Sequence, residues 1–313
     1  MSSTLHPQVE KYLHGLSEQG LPPLYRLSLE EARETYRDLS IPSEPPITVA
    51  AVIDRTIPGP ATDIPVRIYK PIGDGPHPPL VFFHGGGWML GDLGTYDALC
   101  RALSNATECI VISVDYRRAP EHRFPAGLED CYAATCWVAN NAEAIDARPD
   151  TLAIAGDSAG GSLAFGVGLL ARDRDGPAID YQVLAYPASD YAFDTESYEE
   201  NAQGYFITRK DMERFWDGYL QSELDGEHPY ASPLRTESLD RLPPTLVLTC
   251  GFDPLRDDGT ELASRLSEAG VSTDHVQYED MIHGFLIMLS DPELDRAHEA
   301  LEEIGERVRD ELQ

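Results

Sequence analysis

Short apolar runs separated by longer amphipathic stretches recur along most of the chain and predict alternating strands and helices. The apolar runs lie at residues 80–83, 109–114, 151–155, 182–186, 245–249 and 275–278, and two strand-like segments precede them at 49–57 and 66–69. Parallel strands require long crossover connections, which are usually helical. This alternation therefore predicts an α/β protein with a parallel sheet wrapped by right-handed crossovers.

Helical periodicity predicts helices at both ends of the chain. Residues 8 to about 40 carry apolar side chains at helical spacing, and Ser28 with Glu31 has the pattern of a capping box. A Pro-rich stretch at 41–46 then ends this pattern. From about Pro292 a last helix has one apolar face. We interpret residues 1–45 as an N-terminal helical segment and 46–313 as the main domain.

An aromatic-rich insertion interrupts the alternation at about residues 190–233. Its simplest interpretation is an extra helical lobe with a small core of its own. Aromatic side chains are also typical of the mouth of an active site, where they form acyl or aryl pockets. We favour a lid that packs together with the N-terminal helices.

The charge balance excludes several partners. The formal net charge is −30, and Lys11, Lys70 and Lys210 are the only lysines. Such a surface repels nucleic acid and anionic membranes, and it disfavours polyanionic substrates. An acidic surface of this kind predicts a halophilic protein, and a merely acidic mesophilic enzyme is the alternative.

The cysteines and the N-terminus indicate a cytoplasmic protein. The 5 cysteines form no Cys-x-x-Cys pair, so we expect small buried side chains and neither a disulfide framework nor a metal site. The N-terminus lacks the basic and apolar regions of a secretory signal. No apolar run approaches the length needed to span a membrane.

A Gly-x-Ser-x-Gly motif is the centre of the predicted chemistry. Residues 152–161 place an apolar run, the motif around Ser158, and the start of a helical pattern in that order. This context is typical of a nucleophile elbow, in which a sharp turn exposes the serine at the start of a helix. Gly156 and Gly160 would relieve the steric clashes of such a turn. An idle serine in a glycine-rich turn is the alternative.

A His-Gly-Gly-Gly-Trp motif at residues 84–88 directly follows a predicted strand. Successive glycines expose backbone amides, which are the donors that an oxyanion needs. We expect Gly85, Gly86 and the amide of Ala159 to form the oxyanion hole. His84 precedes this loop, and we interpret it as a structural residue.

The acid and the base are expected on loops after later strands. Asp253 follows the strand at 245–249, although an Asp before Pro is also a common helix cap. Asp257 and Asp258 compete with it but fall inside the next helical segment. Three histidines follow Asp253. His283 lies in a loop beyond the final strand, whereas His275 lies within that strand and His298 on the last helix. The order Ser158, Asp253, His283 is that of α/β-hydrolases.

Taken together, these motifs resemble the hormone-sensitive-lipase family of bacterial and archaeal esterases. The resemblance covers nearly the whole chain from about residue 48 and rests on the segments 84–88, 115–126, 156–161, 253–255 and 283–285. It implies an α/β-hydrolase fold with a mostly parallel eight-stranded sheet flanked by helices. It also implies a helical cap built from the N-terminal helices and the insertion, and hydrolysis of short-acyl esters without a cofactor. Many members form dimers, so a homodimer is a further expectation.

Two other functions fit the same motifs. An amidase or arylformamidase uses the same triad to cleave amides. The plant gibberellin receptor resembles this family but lacks the catalytic histidine, so the fold can also serve as a small-molecule binding module. The presence of His283 in its expected context favours an enzyme.

Overall fold

One mixed sheet of 8 strands forms the centre of the computed structural model, which describes residues 4–41, 46–290 and 292–312. The strands are β1 (Ala51–Ile57), β2 (Ile64–Lys70), β3 (Pro79–Phe83), β4 (Ile110–Val114), β5 (Ala153–Asp157), β6 (Tyr181–Ala185), β7 (Thr245–Phe252) and β8 (Thr273–Ile282). Their order in the sheet is β1-β2-β4-β3-β5-β6-β7-β8. Only β2 pairs antiparallel, with β1 and with β4, and the other pairs are parallel. The predicted α/β fold is confirmed.

Helices cover the sheet and connect its strands. They are α1 (Pro7–Gln19), α2 (Leu29–Ser40), α3 (Asp97–Thr107), α4 (Ala126–Asn141), α5 (Ala159–Asp173), α6 (Glu196–Glu200), α7 (Arg209–Tyr219), α8 (Arg256–Glu268) and α9 (Asp295–Leu312), with 3₁₀ turns at Leu24–Arg26, Ala142–Ile145, Glu223–Glu227, Pro233–Arg235 and Phe285–Ile287. Every residue of β3, β4, β5 and β6 is buried. Apolar runs without alternation are expected where helices cover both faces of a parallel sheet.

The edge strand β8 is longer than the sequence pattern predicts. It continues through the polar residues Glu279 and Asp280 to Ile282. A side chain at Gly251 in β7 would lie 2.1 Å from the carbonyl oxygen of Glu279. The glycine therefore allows the two backbones to approach, and the register shifts there between Cys250 and Phe252. As a result, β7 and β8 end side by side.

The N-terminal segment and the insertion contact each other. Ser28 caps α2 through a complete capping box, as predicted, and Thr208 caps α7 in the same way. The Asp211 carboxylate accepts a hydrogen bond of 2.7 Å from the backbone amide of Tyr25, and Arg214 donates to the carbonyl of Leu24. The predicted segment boundary at residue 45 lies outside the described residues.

Among the helices of the described chain, none combines the length and apolar character that crossing a membrane requires.

Candidate active site

Ser158 lies in a strained turn between β5 and α5. Its backbone has φ 54° and ψ −123°, which an L-residue adopts only when the surroundings enforce it. A Cβ at Gly156 would lie 2.1 Å from the carbonyl oxygen of Gly160, and one at Gly160 would lie 1.9 Å from that of Phe83. The Ser158 amide donates a 2.8 Å hydrogen bond to Ala185 at the end of β6. These contacts produce the turn that the motif predicts.

Three buried side chains from three strand ends form a continuous hydrogen-bonded chain. Nε2 of His283 is 2.8 Å from Oγ of Ser158, and Nδ1 of His283 is 2.8 Å from Oδ2 of Asp253. The other carboxylate oxygen of Asp253 accepts a 2.8 Å hydrogen bond from the amide of Leu255. Water is nearly excluded, because Ser158, His283 and Asp253 are 6%, 4% and 0% exposed. The structure thus brings together the three residues that the sequence order predicts.

The competing histidines lie elsewhere. Nε2 of His275 is 2.9 Å from Oγ1 of Thr249 within the sheet, and burial lowers the pKa of His275. His298 lies on α9, where its ring is 3.3 Å from Glu293.

The competing carboxylates lie on α8 and do not contact His283. Asp257 accepts hydrogen bonds from Arg256 and from the amide of Ser197. Asp258 is buried, and desolvation raises its pKa well above the ordinary value. Of these three carboxylates, Asp253 is the one that contacts His283.

The glycine-rich loop corrects one sequence prediction. The amide of Gly85 donates a 2.8 Å hydrogen bond to Oδ1 of Asp157, so it is not available to an oxyanion. In the described part of the chain, the amides of Gly86, Gly87 and Ala159 form no hydrogen bond. Gly87, which the sequence analysis did not select, therefore replaces Gly85 as a candidate donor. A motif shows that amides are exposed but not which one a neighbouring carboxylate binds.

The last glycine of this loop and the tryptophan after it pack against the insertion. A Cβ at Gly87, where φ is +59°, would lie 2.3 Å from the ring of Phe215 on α7. The ring of Trp88 stacks on that of Tyr219 with centroids 4.2 Å apart and contacts Trp216 at 4.5 Å. The insertion therefore forms one wall of the site.

His84 is a structural residue, as expected. Its ring stacks on that of Tyr116 at 4.3 Å, and its Nδ1 is 2.8 Å from the carbonyl oxygen of Gly85. Burial lowers the pKa of His84 to about 4, so the ring is neutral at pH 7.

A small cavity of about 40 Å³ lies over Ser158. A second, mainly apolar cavity of about 230 Å³ lies between α1, α2 and the insertion and shares Leu24, Tyr36 and Phe206 with the first. We call the cavity over Ser158 the inner cavity. The residues that line it are Leu24, Tyr36, Gly86, Gly87, Leu90, Tyr96, Asp157, Ser158, Phe206, Ile207, Phe215, His283, Gly284 and Ile287.

Asp157 is a buried carboxyl group that the sequence analysis did not select. It accepts hydrogen bonds from Gly85 and, at 3.1 Å, from the hydroxyl of Tyr96. Burial is the main influence on its pKa and raises it to about 6, against the opposing effect of these donors and of nearby His283. Its position before Ser158 in the motif was the only signal in the sequence.

This architecture defines the class of protein. A nucleophile elbow after β5, with a histidine and a carboxylate after β8 and β7, on a mostly parallel sheet, is the arrangement of α/β hydrolases. The family model for the alpha/beta hydrolase fold matches residues 80–287. The chain belongs to this family, which confirms the resemblance to the hormone-sensitive-lipase group.

Several relatives are named ester hydrolases. The carboxylic ester hydrolase LipN of Mycobacterium tuberculosis is 46% identical over 75% of this chain, and the match spans 64% of LipN. An ethyl acetate hydrolase of Pseudomonas putida is 32% identical over 99% of this chain and 100% of its own length. The crystal structure of a thermostable esterase from Pseudomonas putida has a TM-score of 0.95 at 35% identity and covers 100% of this chain and 99% of that one. The chain is a carboxylic ester hydrolase.

The tight packing at Gly85 gives a testable prediction. In Gly85→Ala the new Cβ would lie 2.8 Å from Asp157 and 2.9 Å from the Tyr96 hydroxyl. We expect overpacking to cost about 1–3 kcal/mol of unfolding free energy and to lower kcat/KM roughly 100-fold through displacement of the loop. Urea unfolding and ester hydrolysis measure the two effects.

Gly15→Ala is the matched control, because its added Cβ in α1 would have no atom within 4 Å apart from the neighbouring backbone of its own helix. It should retain full activity and gain about 0.5–1 kcal/mol of stability. Full activity in Gly85→Ala would contradict the packing argument.

Proposed function

We propose that the protein is a carboxylesterase that hydrolyses short-acyl esters with Ser158 as nucleophile, His283 as general base and Asp253 as its orienting carboxylate. The observation that carries this proposal is the unbroken pair of 2.8 Å contacts from Ser158 through His283 to Asp253. Hydrogen-bond reach between nucleophile and base, with a third group orienting the base, is the requirement for this chemistry.

In the first half of the reaction, Oγ of Ser158 attacks the ester carbonyl while Nε2 of His283 takes its proton. Asp253 holds the imidazole tautomer and stabilises the imidazolium. The negative oxygen forms against the amides of Gly86, Gly87 and Ala159. Each such donor is worth about 3 kcal/mol of transition-state stabilisation, and the N-terminal end of α5 favours the same charge.

In the second half, the acyl-enzyme is hydrolysed. His283 first donates its proton to the leaving alkoxide, which departs as the alcohol. His283 then takes a proton from water, which attacks the acyl carbonyl, and the collapse of the second tetrahedral intermediate returns the proton to Ser158. No metal or cofactor takes part in the proposed reaction.

The small inner cavity supports a short acyl group. A volume of about 40 Å³ leaves room for only a short chain beyond the carbonyl, and the lining is mainly apolar. The full-length similarity to an ethyl acetate hydrolase agrees with this size. We propose that residues 7–40 and 190–233 act together as a cap over this cavity. The cytoplasmic location and the homodimer stay predictions.

The competing functions differ in measurable ways. An amidase or arylformamidase would use the same residues, and comparison of p-nitrophenyl esters with the matching anilides separates the two activities. A binding module would leave both substrates intact. The contact between His283 and Ser158 favours turnover over mere binding.

The nucleophile and base are tested by substitution. We expect Ser158→Ala to lose labelling by a fluorophosphonate probe, and Ser158→Ala and His283→Ala each to lower kcat by about 10⁴-fold or more. His275→Ala and His298→Ala are the controls and should have mild effects, because neither ring contacts Ser158. A tenth of the parent rate in Ser158→Ala, or a comparable loss in His275→Ala, would assign the role to another residue.

The acyl preference is tested with p-nitrophenyl esters of increasing chain length. We expect kcat/KM to peak between acetyl and hexanoyl and to fall for longer chains. Phe206 lines both cavities, so Phe206→Ala should raise the relative rate with octanoyl and decanoyl esters. Leu224→Ala, at a side chain 82% exposed, should not change the profile. A preference of the parent for emulsified long-chain triglycerides would refute the assignment.

We also propose that the acidic surface is adapted to high salt. With a net charge of −30, carboxylates repel one another more strongly in the folded state than in the expanded unfolded chain. The Debye length falls from about 10 Å at 0.1 M salt to about 3 Å at 1 M. We therefore expect the Tm to rise steadily from low salt to molar KCl at constant pH, with activity retained. A Tm that stays constant or falls over this range would contradict the adaptation.

A further inference from the structure

We propose that Tyr36 and Tyr96 are positioning residues that, through Asp157, hold the oxyanion loop (residues 85–87) in its active arrangement. The inference rests on the proposed function, because it assigns these hydroxyls an effect on the stabilisation of the oxyanion. It makes the N-terminal helix α2 part of the catalytic arrangement as well as a cover over the cavity.

A line of hydrogen bonds runs from α2 to the loop. The hydroxyls of Tyr36 and Tyr96 are 2.9 Å apart, and the hydroxyl of Tyr96 donates to Oδ2 of Asp157 at 3.1 Å. The opposite oxygen, Oδ1, accepts the amide of Gly85 at 2.8 Å. Because the proton of Tyr96 is directed at the carboxylate, its oxygen is free to accept the proton of Tyr36.

Asp157 connects Ser158 to the oxyanion loop. It is the chain neighbour of Ser158, and its carboxylate binds the first amide of the loop whose next two amides face the oxyanion. A rotation of the Asp157 side chain would therefore shift Gly86 and Gly87 relative to Ser158. Fixing that rotation requires partners on both carboxylate oxygens, and Tyr96 is the partner on the side away from Gly85.

The surroundings leave this carboxylate dependent on its donors. Asp157 is 2% exposed, Tyr96 1% and Tyr36 8%, so water does not substitute readily for a lost hydroxyl. A buried polar group without a partner is costly and tends to rearrange. A side chain at position 85 would disturb these hydrogen bonds, because its Cβ would lie within 3 Å of both Asp157 and the Tyr96 hydroxyl. Glycine avoids this clash.

Two arginines hold α2 in place on either side of Tyr36. Nε of Arg33 donates to the carbonyl of Met89 at 2.9 Å, and its guanidinium makes a two-point contact with Glu121 at 2.7 and 2.8 Å. Arg37 binds Asp92 at 2.7 Å. Positions 33, 36 and 37 share one helical face, and Met89 follows the oxyanion loop closely in the chain. The helix that carries Tyr36 is therefore bound to the residues that directly follow the oxyanion loop.

The experiment removes one hydroxyl at a time. Tyr36→Phe, Tyr96→Phe and the double variant are compared with the parent for kcat, KM and inhibition by an aryl trifluoromethyl ketone. This inhibitor adds to Ser158 and directs an oxyanion at the loop. Tyr69→Phe is the matched control, because Tyr69 is fully buried and its hydroxyl donates to Asp97 at 3.0 Å away from the site.

We expect Tyr96→Phe to lower kcat roughly tenfold with KM within twofold, since a small displacement of the loop acts on the transition state. The inhibition constant of the ketone should rise by the same factor. Tyr36→Phe should show a smaller loss of the same kind. The double variant should be no worse than Tyr96→Phe, because Tyr36 acts through Tyr96. Tyr69→Phe should leave kcat and ketone inhibition unchanged.

Three results would overturn the proposal: kcat within twofold of the parent in both single variants, a change confined to KM, or fully additive losses in the double variant. A change confined to KM would mean that Tyr36 and Tyr96 only line the cavity. Fluorophosphonate labelling of the parent separates this test from the proposed function. An unlabelled parent refutes the esterase mechanism, whereas a labelled, active parent with unaffected variants refutes only the positioning role.

Discussion

The close approach of three backbone segments at the elbow is the constraint on which the site depends. At Gly160 a side chain would lie 1.9 Å from the carbonyl oxygen of Phe83, and at Gly156 it would lie 2.1 Å from Gly160. The absence of both side chains lets α5 begin directly beside the end of β3. Ser158, which follows β5, and the glycine-rich loop, which follows β3, therefore meet at one edge of the sheet. The positive φ of Ser158 is maintained by this packing.

Two buried carboxylates, those of Asp253 and Asp157, have different partners in the site. Asp253 is directed at His283 and is itself held by the amide of Leu255. The Asp157 carboxylate instead accepts hydrogen bonds from the Gly85 amide and the Tyr96 hydroxyl. Each carboxylate is satisfied by its own donors, as buried charged groups require. In the proposed mechanism, Asp253 orients the base, and we infer that Asp157 organises the loop that faces the substrate oxygen.

The insertion and the N-terminal helix α2, which both lie outside the sheet, enclose the site from two sides. The insertion contributes the aromatic contacts of Phe215, Trp216 and Tyr219 behind Gly87 and Trp88. The N-terminal helix α2 is held by ion pairs from Arg33 and Arg37. Both segments contact the end of the oxyanion loop or the residues that follow it. The shape of the cavity and the order of the loop are thus properties of the same packing.

The sequence by itself determined which apolar runs form strands, where the elbow lies, and the chain order of Ser158, Asp253 and His283. Those features follow from local apolar periodicity and from motifs whose residues are adjacent, so no distant contact is needed to recognise them. Only the tertiary structure decided that the Gly85 amide binds Asp157 and that the Gly87 amide is left without a hydrogen-bond acceptor. The same holds for the contact of Tyr36 with Tyr96, 60 residues apart in the chain. An amide or a hydroxyl can bind any acceptor that the fold brings near it. Neither composition nor spacing specifies which acceptor that is.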